Sequence, residues 1–231
     1  INFPMQDNSD AMTYDGVLIK SASLFLVAVA SAVLVGMFAP LTLVFPIAIA
    51  AFVMSLITMF AARKGPKPGL FAITVALYGG AAGGISALYE AQWGGIVLQA
   101  LIATAVVFAV SLFLFKSGRV RNMNKIRKFL AIAVPSYVVF SLINVATVWF
   151  GGLNMREMNI PGTSLPIGIV ISLFAITVGA LMLISDFDFV DNGVRNALPA
   201  SWEWTAAYGL VFSIIWIYIE MLRLLSYLRG R

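Results

Sequence analysis

The chain has 231 residues, 61% of them hydrophobic and only 11% charged, with a mean hydropathy of +0.97. A soluble domain carries about 25% charged residues, so the composition excludes an ordinary soluble globule and indicates an integral membrane protein. Histidine and cysteine are both absent, which excludes disulfides, conventional zinc sites, serine–histidine and cysteine nucleophiles and histidine-ligated haem. The net charge of +5 lies beside apolar spans as topology and headgroup anchors, so membrane lipids are the expected partners and nucleic acid is not.

Residues 1–12 lack periodicity and read as a polar tail ahead of a single membrane domain, 13–231. The first 16 residues are polar and acidic, without the basic stretch and short apolar run of a cleavable leader. Thr13 followed by Asp15 has the pattern of a helix start: a hydroxyl cap, then a carboxylate near the positive end of the dipole. From Ser21 to Ala62 no Asp, Glu, Lys or Arg occurs. That run is too long for one span, since about 20 residues cross the hydrocarbon core. Pro40 splits it into spans of about 17–38 and 41–61, and the basic joint Arg63–Lys67 closes the second.

A third span, about 69–89, carries Gly79, Gly80, Gly83 and Gly84, two overlapping small-residue pairs that let another helix approach closely. Packing within one bundle and homodimerisation both fit that pattern. Glu90 closes the span at the interface, or serves as an outer-mouth ligand for a cation. Trp93 then opens a fourth span of about 93–115 at aromatic-belt depth. The segment 116–128 holds Lys116, Arg119, Arg121, Lys125, Arg127 and Lys128 and no acid, a cytoplasmic loop by the positive-inside rule. The fifth span, about 129–150, contains Pro135, which predicts a kink and a freed carbonyl. The sixth runs about 165–185 and the seventh about 202–228, anchored by Trp202 and Trp204.

With seven spans, eleven of the fifteen basic residues fall on the side of the N-terminus, which is therefore read as cytoplasmic. They are Lys20, Arg63, Lys64, Lys67, Lys116, Arg119, Arg121, Lys125, Arg127, Lys128 and Arg195; Arg156, Arg223, Arg229 and Arg231 fall opposite. Six spans with a re-entrant last segment would instead return the basic C-terminus to the cytoplasm.

The acids near the end of the chain are the candidates for function. Asp186 and Asp188 follow the apolar run LMLIS, and Glu220 lies inside IIWIYIEMLRLL. One ionised carboxylate at mid-membrane costs roughly 3 kcal/mol on insertion scales, so a chain that keeps it is expected to use it. Asp188 lies on a different helix face from Asp186. With Asp191 it is assigned to an interfacial joint before spans six and seven meet, where Asn192-Gly193 signals a turn. Glu220 has Arg223 one turn away, and a simple within-helix ion pair is the plain structural alternative.

Three stretches, GGISALYEAQWGGIVLQALIATAVVFAVSLFLF, LISDFDFVDNG and LVFSIIWIYIEMLRLLSYL, together with the span count and the basic 4–5 loop, resemble the Bax inhibitor motif family, in its bacterial YccA-like branch. The resemblance covers residues 13–231. It implies an all-α fold of seven transmembrane helices with the last helix central, wrapped by the other six. It also implies an acid on helix six paired with one on helix seven, sealing a pore that senses pH and leaks calcium. By position these acids are Asp186 and Glu220. The chain departs from the family pattern in having Glu at the second position, a connection about ten residues longer between the acids, and Arg223 one turn after Glu220.

The expected function is thus a pH-sensitive calcium leak in a bacterial plasma membrane, gated by Asp186, Glu220 and Arg223. Asp186 and Glu220 form a weak, transient calcium site, Asp188 and Glu90 lie along the ion path, and no resident cofactor is needed. Two carboxylates in a low-dielectric space do not both ionise cheaply, so such a pair shares a proton. Calcium takes six to eight oxygen ligands, roughly, so carbonyls and water would complete its shell. The alternative is a regulator or scaffold, a modulator or client of a membrane AAA protease gripping the polar tail, or a subunit of a larger membrane complex. No GxGD-type motif marks an intramembrane protease and no inverted repeat marks a secondary transporter, so no enzyme is expected.

Overall fold

A computed structural model describes residues 11–118, 122–163 and 165–230. Seven helices form in chain order: α1 Tyr14–Phe38, α2 Val44–Ala62, α3 Pro68–Gln92, α4 Ile96–Lys116, α5 Met123–Gly151, α6 Ile167–Arg195 and α7 Glu203–Arg229. Single 3₁₀ turns, Leu41–Leu43 and Ala200–Trp202, lead into α2 and α7. All seven are long and apolar enough to cross a membrane.

Local chemistry sets their ends. Thr13 is extended and its Oγ1 accepts from Gly16 N at 3.0 Å, so α1 begins on a hydroxyl cap, with Asp15 in the first turn. Ala39, ahead of Pro40, is pushed to extended backbone and stops α1. Pro68 opens α3 at a position whose N–H needs no partner. Asn122 caps α5 by accepting from Lys125 N, so the basic residues 125–128 are the first turns of a helix rather than loop, and α5 starts some six residues before the expected 129. Pro135 lies inside α5, and the helix continues through it.

α7 is the central helix. α1, α3, α4 and α6 pack along it, and α5 reaches it through Tyr137; α2 packs mainly on α3. The core follows α7, with Leu24, Ala28, Val75 and Ala82 closing on Ala207 and Val211, and Ile96 and Ala100 on Leu222. Large side chains such as Leu26, Leu101, Ile132 and Val170 point outward, as expected of a bundle whose solvent is lipid. Because α7 is one unbroken helix, the chain has seven spans rather than six and a re-entrant segment, and Thr13 and Arg229 lie at opposite faces of the bundle. Arg229 Nη1 donates to the carbonyls of Trp93 and Gly94 in the α3–α4 turn. Lys20, near the start of α1, meets Glu203 at the start of α7.

Two expectations need correction. The helix of the sixth span does not end near residue 185, and Asn192-Gly193 is not a turn; α6 runs on to Arg195. Asn192 Nδ2 donates to Asp188 O one turn back at 2.8 Å, which suits a helix interior. Gly193 provides room for Met12, since a Cβ there would lie 2.6 Å from the Met12 sulfur. Met12 itself is not tail: it is 2% exposed and its N–H donates to Leu198 O at 2.7 Å. The rest of the expected tail, residues 1–10, lies outside the described residues, as do Arg119 and Arg121 of the basic loop and Arg231.

Candidate functional site

Glu220 sits on the inward face of α7 and is 3% exposed. Its Oε1 accepts from Arg223 Nη1 at 2.6 Å and from the Tyr137 hydroxyl of α5. Arg156, from the α5–α6 loop, is buried too; its Nη2 donates to Tyr137 Oη at 2.6 Å, and its Nη1 lies 3.7 Å from Glu220 Oε2. Arg223 also reaches Tyr137 Oη, at 3.3 Å. One carboxylate, two guanidiniums and a phenol thus form a closed network between α5, α7 and a loop that folds inward.

The loop holds Arg156 in place by its own backbone. Asn144 Oδ1 accepts from Met155 N at 2.9 Å, and Arg156 O accepts from Gly168 N at 2.8 Å as α6 begins. The guanidinium then lies over the rings of Tyr137 and Phe140, with centroids 5.3 and 5.6 Å away.

Asp186 belongs to a different level of the bundle. Its Oδ2 accepts from Ser213 Oγ of α7 at 2.6 Å, and its Oδ1 fills the space left by the missing side chain of Gly209. Ser213 precedes Glu220 by seven residues, two helical turns or about 10 Å along the axis. The expected pairing of Asp186 with Glu220 is therefore absent. Each acid has satisfied itself with a nearer partner: a hydroxyl for Asp186, two cations for Glu220. Arg223 does join Glu220, as its spacing suggested. The two acids do not converge on a calcium ion, and among the described residues no group of three or more acids forms a metal cluster.

The other expected site residues are committed elsewhere. Asp188 pairs with Arg127 of α5 at 2.7 Å, and Asp191 with Arg195 at 3.0 Å and the Tyr14 hydroxyl at 2.8 Å. Glu90 accepts from Gly95 N at 2.5 Å and Val97 N at 3.0 Å, so both its oxygens cap the start of α4. Gly79 and Gly83 lie against the backbone of Ala28 and Ala32 in α1, Gly80 against Ser31 and Val35, and Gly84 against Val44. All four thus serve approaches inside this one chain.

Sequence reasoning missed Arg156, read only as a residue of the opposite loop, and Glu203, which is 4% exposed. Glu203 Oε1 accepts from the Thr13 N–H at 2.8 Å and Oγ1 at 3.1 Å, and Oε2 pairs with Lys20 at 2.6 Å. Its tie to Thr13 spans 190 positions, and no local spacing announces such a contact.

Two cavities meet at the Glu220 network. One, about 510 Å³, is polar, lined by Tyr89, Asn144, Arg156, Arg223, Ser226 and Tyr227 among others, and reaches the exposed Gln92, Glu157 and Gly230. The other, about 260 Å³, lies behind Tyr137 and Glu220 against Phe52, Phe212 and Trp216. Arg223 lines both. A family model described as Bax inhibitor 1 like matches residues 2–230. The chain belongs to that family. No curated protein matches the chain. In this Bax inhibitor 1 like protein Glu220 lies on the central helix and Asp186 of α6 is held against it, in separate networks, one with cations and one without.

Proposed function

We propose that the protein is a regulated cation leak, with calcium its favoured ion, in a bacterial plasma membrane with the N-terminus cytoplasmic. The observation that carries this reading is Asp186: an acid in a membrane helix, held against α7 by the Ser213 hydroxyl, with no ion pair to any cation among the described residues. Asp186 is half-buried with only a hydroxyl partner, and an ionised carboxylate in a membrane helix is costly, so charge on Asp186 works against the seam between α6 and α7. The proton on this one acid, rather than one shared with Glu220, is then the pH signal, and flux rises with pH.

Glu220 and its two arginines act as the plug. While Arg156 and Arg223 neutralise it, the polar cavity ends at a net positive cluster that repels cations. Withdrawal of Arg156 with its loop would leave the carboxylate facing the cavity as an oxygen ligand.

The test is calcium flux into proteoliposomes at external pH about 6 and about 8. The parent should leak faster at the higher pH. Asp186→Asn should abolish that difference, and Arg223→Ala should change the rate at both values. A protein that passes no more calcium than empty vesicles at either pH would turn the reading toward the regulator or scaffold. A search for a membrane protease or complex bound through the N-terminal segment would follow.

A further inference from the structure

Arg156 is held at the Glu220 network by a hydrogen bond to a phenol rather than by one to the carboxylate. Its Nη1 and Glu220 Oε2 lie 3.7 Å apart, beyond hydrogen-bond reach, and neither atom has a hydrogen-bond partner among the described residues. The guanidinium donates instead from Nη2 to Tyr137 Oη at 2.6 Å. A guanidinium only donates and an ionised carboxylate only accepts, whereas a phenol does both. Tyr137 uses all of that capacity: its hydrogen goes to Glu220 Oε1, and its lone pairs take Arg156 and, at 3.3 Å, Arg223. The ring is fixed independently of the hydroxyl. It lies 4.9 Å from the Trp216 ring, and Trp216 Nε1 donates to Ala175 O of α6 at 3.1 Å.

We infer that Tyr137 is the positioning residue that latches the α5–α6 loop over Glu220. The inference rests on the reading of that network as the plug of a cation leak. The loop's ties through Met155 N to Asn144 and through Arg156 O to Gly168 N hold it to α5 and α6, and neither reaches α7. Through the Tyr137 hydroxyl the loop is joined to Glu220 of α7. Without that hydroxyl Arg156 keeps its ring contacts and the 3.7 Å ion contact, but no hydrogen bond to the network. A buried guanidinium so placed is better off in water, and the polar cavity beside it leads to the exposed Gln92 and Glu157. The hydroxyl thus decides whether Glu220 is covered or faces the cavity.

The experiment is amide hydrogen exchange of the purified full chain in detergent, with calcium flux into proteoliposomes alongside. Tyr137→Phe keeps the ring and deletes the hydroxyl. Exchange at Met155 and Gly168 should quicken about tenfold, the ratio for one hydrogen bond to a charged group, while α1 and α3 exchange as in the parent. A general loss of stability would quicken all of them. Arg156→Gln removes the other half of the same bond and leaves Glu220 paired with Arg223. It should quicken the loop to the same degree, and the double variant Y137F/R156Q no further. Tyr137→Phe should also pass calcium faster than the parent at both pH values. The latch is overturned by unchanged loop exchange in Tyr137→Phe, by equal quickening in α1 and α3, or by a double variant whose effect is the product of the two singles. Unaltered flux in Tyr137→Phe from a parent that leaks overturns it too. A parent that passes no calcium refutes the leak reading instead, and the exchange then decides the latch alone. If Tyr137→Phe does not fold, Arg156→Gln answers in its place, and a loop that exchanges as in the parent overturns the latch.

Discussion

Glu220 shows how a buried charge is carried in this protein. Its carboxylate is neutralised by Arg223 three residues on and by Arg156 sixty-four residues back. Removing one member of such a group leaves the others buried without compensation, and that loss costs about 3–5 kcal/mol. Glu220→Gln should therefore lower the unfolding midpoint sharply in detergent, and combining it with Arg156→Gln should restore most of the loss. Equal destabilisation by the single and double variants would mean that the two residues are not coupled. The same logic applies at the other end of α7. Lys20→Ala leaves Glu203 with only Thr13 and the bundle, and should cost about 1–3 kcal/mol, read in the same assay. The partner within one turn, Arg223, was legible from spacing because helix geometry fixes it. Arg156 and Lys20 were not, because contacts between distant segments leave no period in the sequence.

Among the helices, α1 and α3 form the closest seam. Gly79 and Gly83 allow the backbones to touch at Ala28 and Ala32, and a larger residue has only backbone to displace. Gly83→Val should cost about 1–3 kcal/mol or more through overpacking, while Gly94→Ala, with nothing within 4 Å of a new Cβ, should match the parent. Measured midpoints check both. The sequence showed that something must come close to these glycines but not that the neighbour is α1, since small-residue spacing names a face and not its partner. The seven spans themselves were legible, because hydropathy over about 20 residues is a local property. The end of α6 was not. Acids and Asn-Gly resemble a turn until Met12, Arg127 and Tyr14 are there to meet them.

For the whole molecule, the proposed orientation rests on charge, while the contacts give the two ends. One end gathers Thr13, Lys20, Asp188 and Glu203; the other gathers Trp93, Arg156, Glu157 and Arg229. The chain contains no cysteine, so any introduced thiol is a unique label. Cysteine at Lys64 should react with an impermeant maleimide only from the cytoplasmic side, and cysteine at Gln92 only from outside. The reverse pattern would invert the orientation and place the polar cavity in the cytoplasm.

The three anchors of α7 also limit how the bundle can move. Its first turn is bolted to α1 through Glu203, its middle to α5 through Glu220, and its last turn to the α3–α4 connection through Arg229. A rod fixed at three heights cannot piston, and it turns about its axis only by shearing all three bolts at once. Compliance is left to the parts around it: to α6, which meets the rod at Gly209 and Ser213, and to the loop carrying Arg156. Spin labels at the two ends of α7 should keep one separation whatever the pH, while a label on α6 beside Asp186 should report the displacement.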